Sequence, residues 1–281
     1  MKKVTLIVPF NGDLDLFENN LNRFIILDDS FPEVLNFIIV VDTQKISVDH
    51  LKEIKAKKEN MRLSKKLKVV VPQIKLGQMN ALILGMSVSD SEAVLLMSDD
   101  RKEPNNLIAE MMHLYHEQHL SVIGSAKASN FWGKLWRSIY YTLIGIVGIK
   151  YPPAGFDSAL IDPDAKKKLL ERWRGEQFLQ RLVIKAVGKK YVCVEYDKGQ
   201  DDRAESGWTK FNKMKYLISG INESFYFAIL ILSFSLVFYG FAAHIYILSC
   251  ISFTLLLLWN FLASSPYKKI KSVSDIPFSI I

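Results

Sequence analysis

Only two cysteines occur in the 281 residues, Cys193 and Cys250, and they share no metal-ligand spacing. That excludes a disulfide framework and a cysteine-based zinc site and fits a reducing compartment. No Gly-x-Gly-x-x-Gly follows the first apolar run, and no Gly-x-x-x-x-Gly-Lys-Ser/Thr occurs anywhere, which disfavours dinucleotide and P-loop sites. A Gly-x-Ser-x-Gly elbow is also missing, which argues against a hydrolase of that type. No internal repeat is apparent. The most consequential absence is of charge: from Phe225 to Leu262 there is no Asp, Glu, Lys or Arg.

A single helix over that stretch would run about 57 Å at 1.5 Å per residue, too long for a hydrocarbon core of about 30 Å. Two spans with a tight turn are expected, Ser224 to Tyr239 and Ala242 to Leu262, with Gly240 and His244 marking the turn. Lys210, Lys213 and Lys215 precede the pair, Lys268, Lys269 and Lys271 follow it, and the turn carries no basic residue. Positive residues favour the cytoplasmic side, so both flanks are expected there. The alternative is a buried helical hairpin of a soluble protein. No signal peptide is visible, since Met1-Lys2-Lys3 leads into a six-residue apolar run broken by Pro9.

The rest of the chain is that of a folded domain. The hydrophobic share is 49%, charged residues make up 23%, and the net charge of +7 favours anionic neighbours: phosphates, nucleic acid or an anionic membrane surface. Buried strands are predicted at Val4–Pro9, Phe37–Asp42, Leu67–Val71 and Ala93–Met97, alternating with helices at Asp15–Leu27, Val48–Lys58, Asn80–Ser87 and Pro104–His119. Such alternation predicts an α/β fold with a mostly parallel sheet, in which ligands bind outside the carboxyl ends of the strands. Asp42 and the pair Asp99 and Asp100 stand at two of those ends. Adjacent carboxylates at a strand tip suit an oxygen-seeking cation, Mg²⁺ or Mn²⁺, that neutralises a nucleotide diphosphate. Equally, they suit a turn that caps the next helix.

An ordered set of segments carries a resemblance. It comprises Val4–Asn11, Phe37–Asp42, Leu76-Gly77-Gln78-Met79-Asn80-Ala81-Leu82, Leu95–Pro104, Pro152–Leu160, Gln177–Leu179 with Gly188, and Arg203–Lys210 before the apolar hairpin. In order and spacing these resemble the family 2 glycosyltransferases, specifically the dolichol- and polyprenyl-phosphate hexosyltransferases, of the dolichol-phosphate mannose synthase and bactoprenol glucosyltransferase kinds. The resemblance implies a GT-A-type, Rossmann-like, mostly parallel sheet over residues 1–215, a transmembrane hairpin over 216–265 and a cytoplasmic basic tail over 266–281. It implies a hexosyltransferase that moves a hexose from a nucleotide sugar to a polyprenyl phosphate with inversion. Asp100, helped by Asp99, would hold Mg²⁺ or Mn²⁺; Pro9, Asn11, Asp42, Gly77, Gln78 and Asp157 would line the donor site. Arg203 and Lys210 would take the acceptor phosphate, and Ser206 would also bind substrate. Glu176 is a candidate base, or an exposed first-turn glutamate.

The sequence departs from that pattern in places. Thr43-Gln44 stands where a second acid and Gly-Ser are usual, Ser98 replaces the first acid of the metal motif, and Gly155-Phe156-Asp157-Ser158 exchanges the acid and aromatic. Two further readings therefore stay open: transfer to a saccharide or glycolipid in surface polysaccharide synthesis, and a degenerate, non-catalytic binding domain. The aromatic stretch within residues 127–150, with Trp132 and Trp136 near one face and Lys134 and Arg137 off it, suits an interfacial membrane helix or an ordinary core helix. The expected placement is a multi-pass protein of a bacterial inner membrane, its catalytic domain and both termini cytoplasmic, contacting membrane lipids but no nucleic acid, with homo-oligomerisation left open.

Overall fold

A computed structural model describes residues 3–31, 34–43, 46–58, 62–99, 103–127, 157–173, 179–188, 190–197 and 272–281, with isolated helical positions at 235, 237, 239, 253 and 254. One unit comprises residues 1–141, 149–204 and 269–281; a second comprises 142–148 and 205–268. The hairpin expected at 216–265 and the aromatic stretch at 127–150 lie outside the described residues, apart from those isolated positions. Among the described residues no helix is long and apolar enough to cross a membrane.

The first unit is built on an eight-stranded sheet in the order β7-β5-β6-β4-β1-β2-β3-β8. The strands are β1 (Val4–Phe10), β2 (Leu35–Val41), β3 (Leu67–Pro72), β4 (Ala93–Leu96), β5 (Ser121–Ala126), β6 (Ser158–Ile161), β7 (Tyr191–Tyr196) and β8 (Phe278–Ile280). The helices are α1 (Leu14–Ser30), α2 (Val48–Lys58), α3 (Gln78–Ser87), α4 (Asn105–Gln118), α5 (Pro163–Arg172) and α6 (Leu179–Val187). β1 lies parallel to both β2 and β4, and β2 parallel to β3. β6 is antiparallel to β4 and β5, and β5 is parallel to β7. The four strands and four helices predicted over residues 4–119 are all present, with ends that agree to within three residues.

Both faces of the central strands are buried, which is why β1 and β2 read as continuous apolar runs rather than alternating ones. Leu6, Val8, Phe10, Phe37 and Ile39 belong to one core with Phe17, Phe24 and Leu27 of α1 and Met111 and Tyr115 of α4. Phe24 stacks on Phe37 at 4.7 Å and Phe10 meets Phe17 edge-on at 5.3 Å, each pair adding about 0.5–1.5 kcal/mol beyond area burial. On the opposite face α3 packs against β1 and β2 through Gly85. A Cβ at that glycine would lie 2.4 Å from Cγ2 of Ile7, so glycine sets how closely helix and sheet approach.

The carboxyl-terminal residues overturn one expectation. Instead of trailing as a tail, residues 272–281 form a short 3-10 turn (Val273–Asp275) and β8, antiparallel to β3 from Val70↔Ile280 to Pro72↔Phe278. Residues 272–281 thus belong to the same unit as the rest of the sheet. β8 is only three residues long and exposed, so its Phe-Ser-Ile alternation is too short to mark a strand in the sequence.

Candidate active site

The sheet order contains a reversal. From β1 the chain builds outward through β2 and β3, then crosses back to place β4 on the other side of β1. Ligand crevices in open α/β sheets form at such a switch point, outside the carboxyl ends of the strands. β4 pairs only with Val4–Ile7, so β1 and β4 part company above Ile7 and Leu96. Pro9 sits just past this parting. The Ile7 carbonyl accepts from Met97 N–H and the Phe10 carbonyl from Asp42 N–H, so alternate residues face β4 and β2 in turn. The missing N–H of Pro9 therefore faces the side where the β4 ladder has ended, and a proline in a central strand costs no ladder bond there.

The residues at this edge are tied to one another by side-chain-to-backbone bonds. Asp99, 5% exposed, accepts the Asn11 N–H on Oδ2 at 3.0 Å, closing the gap between the β1 and β4 tips. Asp42 at the end of β2 accepts the amides of Leu76 on Oδ1 at 2.7 Å and Gly77 on Oδ2 at 2.6 Å. That carboxylate sits before the first turn of α3, where unpaired N–H groups and the helix dipole favour negative charge. Gly77 has φ 76° and ψ 159°, a conformation only glycine adopts without strain, which explains the residue type at the turn. Gln78 follows as the first residue of α3 and is half-buried. Burial pushes the Asp42 carboxyl above its usual range, and the two amide bonds and the Lys75 charge pull back.

Asp157 lies at the same edge. β6 runs antiparallel to β4, with Leu96 opposite Ala159, so the same register carried two residues further sets Asp157 level with Ser98. Its carboxylate accepts the Ala126 N–H at 3.3 Å and its own N–H bonds the Gly124 carbonyl. Seven of the predicted residues, Pro9, Asn11, Asp42, Gly77, Gln78, Asp99 and Asp157, thus gather at one sheet edge. Asp100, Glu176, Arg203, Ser206 and Lys210 lie outside the described residues.

Three residues at the site went unassigned from sequence. Asn20 of α1 donates from Nδ2 to the Asp99 carbonyl at 3.2 Å. Arg23 donates from Nε to Asn105 Oδ1 at 2.9 Å and from Nη2 to the Glu103 carbonyl. Glu103 is itself buried and receives the Ser98 hydroxyl, 3.2 Å from each carboxylate oxygen. A signal was present: Asn20 and Arg23 interrupt the buried stripe Leu16, Phe17, Leu21, Phe24, Leu27 of α1, and polar residues in such a stripe need partners.

The donors here are carboxylate, hydroxyl and amide oxygens, the set that Mg²⁺ and Mn²⁺ prefer. Asn20 Oδ1 is buried with no hydrogen-bond partner, an oxygen with acceptor capacity beside the Asp99 loop. Among the described residues no group of three or more His, Cys, Asp or Glu could by itself hold a metal ion; Asp99 and Glu103 are the described acids of this loop.

Comparison with known proteins agrees with this architecture. No family model matches the chain. It is 24% identical over 220 residues to the uncharacterized glycosyltransferase YkcC of Bacillus subtilis, covering 76% of this chain and 64% of that protein. It is 23% identical over 228 residues to the uncharacterized glycosyltransferase sll0501 of Synechocystis, covering 78% and 68%. The chain therefore spans a little under two thirds of YkcC. Among solved structures it resembles mannosyltransferase PcManGT of Pyrobaculum calidifontis, solved with GDP-Man and Mn²⁺, with TM-score 0.54, 16% identity and coverage of 81% of this chain and 64% of that one. It also resembles mannosyl-3-phosphoglycerate synthase of Rubrobacter xylanophilus, with TM-score 0.53, 16% identity and coverage of 79% and 72%. In sequence the chain is similar to glycosyltransferases, and its mixed, Rossmann-like sheet has the fold of solved GT-A-type glycosyltransferases.

Proposed function

We propose that the protein is a membrane-anchored inverting glycosyltransferase that moves a hexose from a nucleotide sugar to a polyprenyl phosphate. The observation that carries this reading is the pair of ties at neighbouring strand tips, Asn11 to Asp99 between β1 and β4 and Gly77 to Asp42 at the end of β2. Asn11 and the Leu76–Gly77 turn shape the donor crevice, with Asp42 holding that turn and placed to meet the nucleoside. Mg²⁺ or Mn²⁺, held by Asp100 with Asp99, would neutralise the diphosphate leaving group. PcManGT was solved with GDP-Man and Mn²⁺, and this chain shares its fold.

The acceptor side rests on the sequence. The uncharged Phe225–Leu262 stretch between basic flanks supports a membrane hairpin, and the pairing of β8 with β3 agrees with an even number of crossings. Arg203 and Lys210, shortly before the first span, supply charge for a lipid phosphate, with Ser206 beside them. A phosphate oxygen is already anionic at neutral pH, so it can attack the anomeric carbon with little help from a base. Ser98, in place of an acid, favours a second reading in which the domain binds without catalysis. Purified full-length protein with labelled nucleotide sugars, Mn²⁺ and polyprenyl phosphate tests both. Label extracted into organic solvent supports the proposal. Label staying with a water-soluble saccharide overturns the lipid acceptor, and no turnover with any donor favours the binding-only reading.

A further inference from the structure

The loop between β3 and α3 is anchored at both ends. Asp42 grips its far end, at the amides of Leu76 and Gly77. The carboxyl-terminal segment holds its near end. There the Gln73 N–H donates to the Pro277 carbonyl at 2.9 Å, one step beyond the last register pair, Pro72↔Phe278. Pro277 has no N–H to return to Gln73, so the ladder stops and the chain is released into the loop. Only Ile74 and Lys75 lie between the two anchors, and both are exposed.

The segment that supplies the outer anchor is itself well fixed. Val69 and Ile281 exchange both backbone bonds, and Ile281 packs against the core. Ser272 and Asp275 cap each other across the short 3-10 turn, which packs against α3, and Ile276 is 3% exposed. The segment thus touches both elements that the loop joins, β3 and α3.

We infer that residues Ser272–Ile281 position the donor crevice, holding the β3–α3 loop from the outer edge of the sheet while Asp42 holds it from within. Pro277 acts through its carbonyl, and β8 keeps that carbonyl in place. Two anchors this close set the shape of the loop before a ligand arrives, so less ordering entropy opposes binding. The coupling is reciprocal: a ligand that binds against the loop also tightens the segment. This inference rests on the nucleotide-sugar reading above.

The test is amide hydrogen exchange and nucleotide binding by the full-length protein in detergent, with Mn²⁺ and GDP or UDP. Ser279 is exposed, and its pair with Val71 lies two residues from the bonded pair Val69 and Ile281, so its N–H belongs to the ladder. Ser279→Pro removes that donor, and Ser279→Ala keeps it as a control. In Ser279→Pro the Leu76 and Gly77 amides should exchange at least about tenfold faster than in the wild type, with α1 and β5 unchanged. Nucleotide should bind about threefold or more weakly, because only the closed fraction of the loop is competent, and the KM for nucleotide sugar should rise while kcat is kept. In the wild type, added nucleotide should slow exchange in residues 278–281 as well as in the loop, which needs no variant to fold. Wild-type exchange or wild-type nucleotide affinity in Ser279→Pro, uniform acceleration across the sheet, or no protection of residues 278–281 by nucleotide overturns the positioning role and leaves the enzyme reading standing. Failure of the wild type to bind either nucleotide overturns both.

Discussion

The carboxylate of Asp42 at the end of β2 spans the amides of Leu76 and Gly77, at 2.7 and 2.6 Å, and so fastens the turn into α3 to the tip of the sheet. The bond explains why an acid follows an apolar strand: it organises the wall of the crevice before any ligand arrives. Asp42→Asn leaves one oxygen and turns an NH₂ group toward an N–H. The orphaned amide should cost about 1–3 kcal/mol of stability. The pH dependence has a definite sign. Burial raises the Asp42 pKa above 3.8 in the folded state, so the native protein holds this proton more tightly than the unfolded chain. Its contribution is fully present below pH 3.8 and is lost as pH rises through the folded pKa. Denaturation of wild type and Asp42→Asn across that range should show this limb in the wild type and not in the variant.

Gly85→Ala tests the close approach of α3 to the sheet. The added methyl would meet Ile7 and, at 3.2 Å, Val40. Overpacking of this kind costs about 1–3 kcal/mol, more than the helix-propensity gain of about 1 kcal/mol that alanine brings. A lower melting temperature is expected, and an increase would show that the helix can move aside.

The carboxyl-terminal strand makes two deletions behave differently. Truncation after Lys215 removes β8 as well as the proposed hairpin, and so exposes the β3 edge, where Gln73 N–H and Val69 now bond residues 277 and 281. That product should aggregate. Replacing residues 216–265 with a flexible Gly/Ser linker keeps β8 and should yield a domain that stays in solution without detergent. Full-length protein should remain with membranes after carbonate washing. Sedimentation of the three forms checks the set.

The readable parts of the sequence were those where one physical demand acts alone. β1, β2 and β4 are buried on both faces, so their apolar runs marked them directly, and Asp42 and Asp99 stood out as acids that end such runs. β6 has four residues and β5 carries Gly124, so neither left a long apolar run. The antiparallel insertion of β6 between β4 and β5 depends on distant pairing that no local pattern records. In the site, residues at strand ends were legible by position. Asn20, Arg23 and Glu103 were not, because their role comes from a loop folding back onto α1.

Arg203→Lys examines the proposed acceptor side. A lysine keeps the charge but not the two-pronged donor geometry of arginine. If Arg203 clamps the lipid phosphate, the apparent KM for polyprenyl phosphate should rise or turnover should fall, with nucleotide-sugar affinity unchanged. A silent variant would reduce the residue to non-specific headgroup attraction. An effect confined to nucleotide-sugar affinity would move it to the donor side.

The central claim is that the β4 tip of this fold is a metal-dependent sugar-transfer site, and one comparison tests it most directly: release of nucleotide from a nucleotide sugar by wild type and Asp100→Ala, each with Mn²⁺ and with EDTA, alongside their melting temperatures. The account predicts turnover by the wild type that EDTA abolishes, and none by Asp100→Ala, whose folding stability should stay within roughly ±0.5 kcal/mol of the wild type. Unchanged turnover in Asp100→Ala, or full wild-type activity in EDTA, would contradict it.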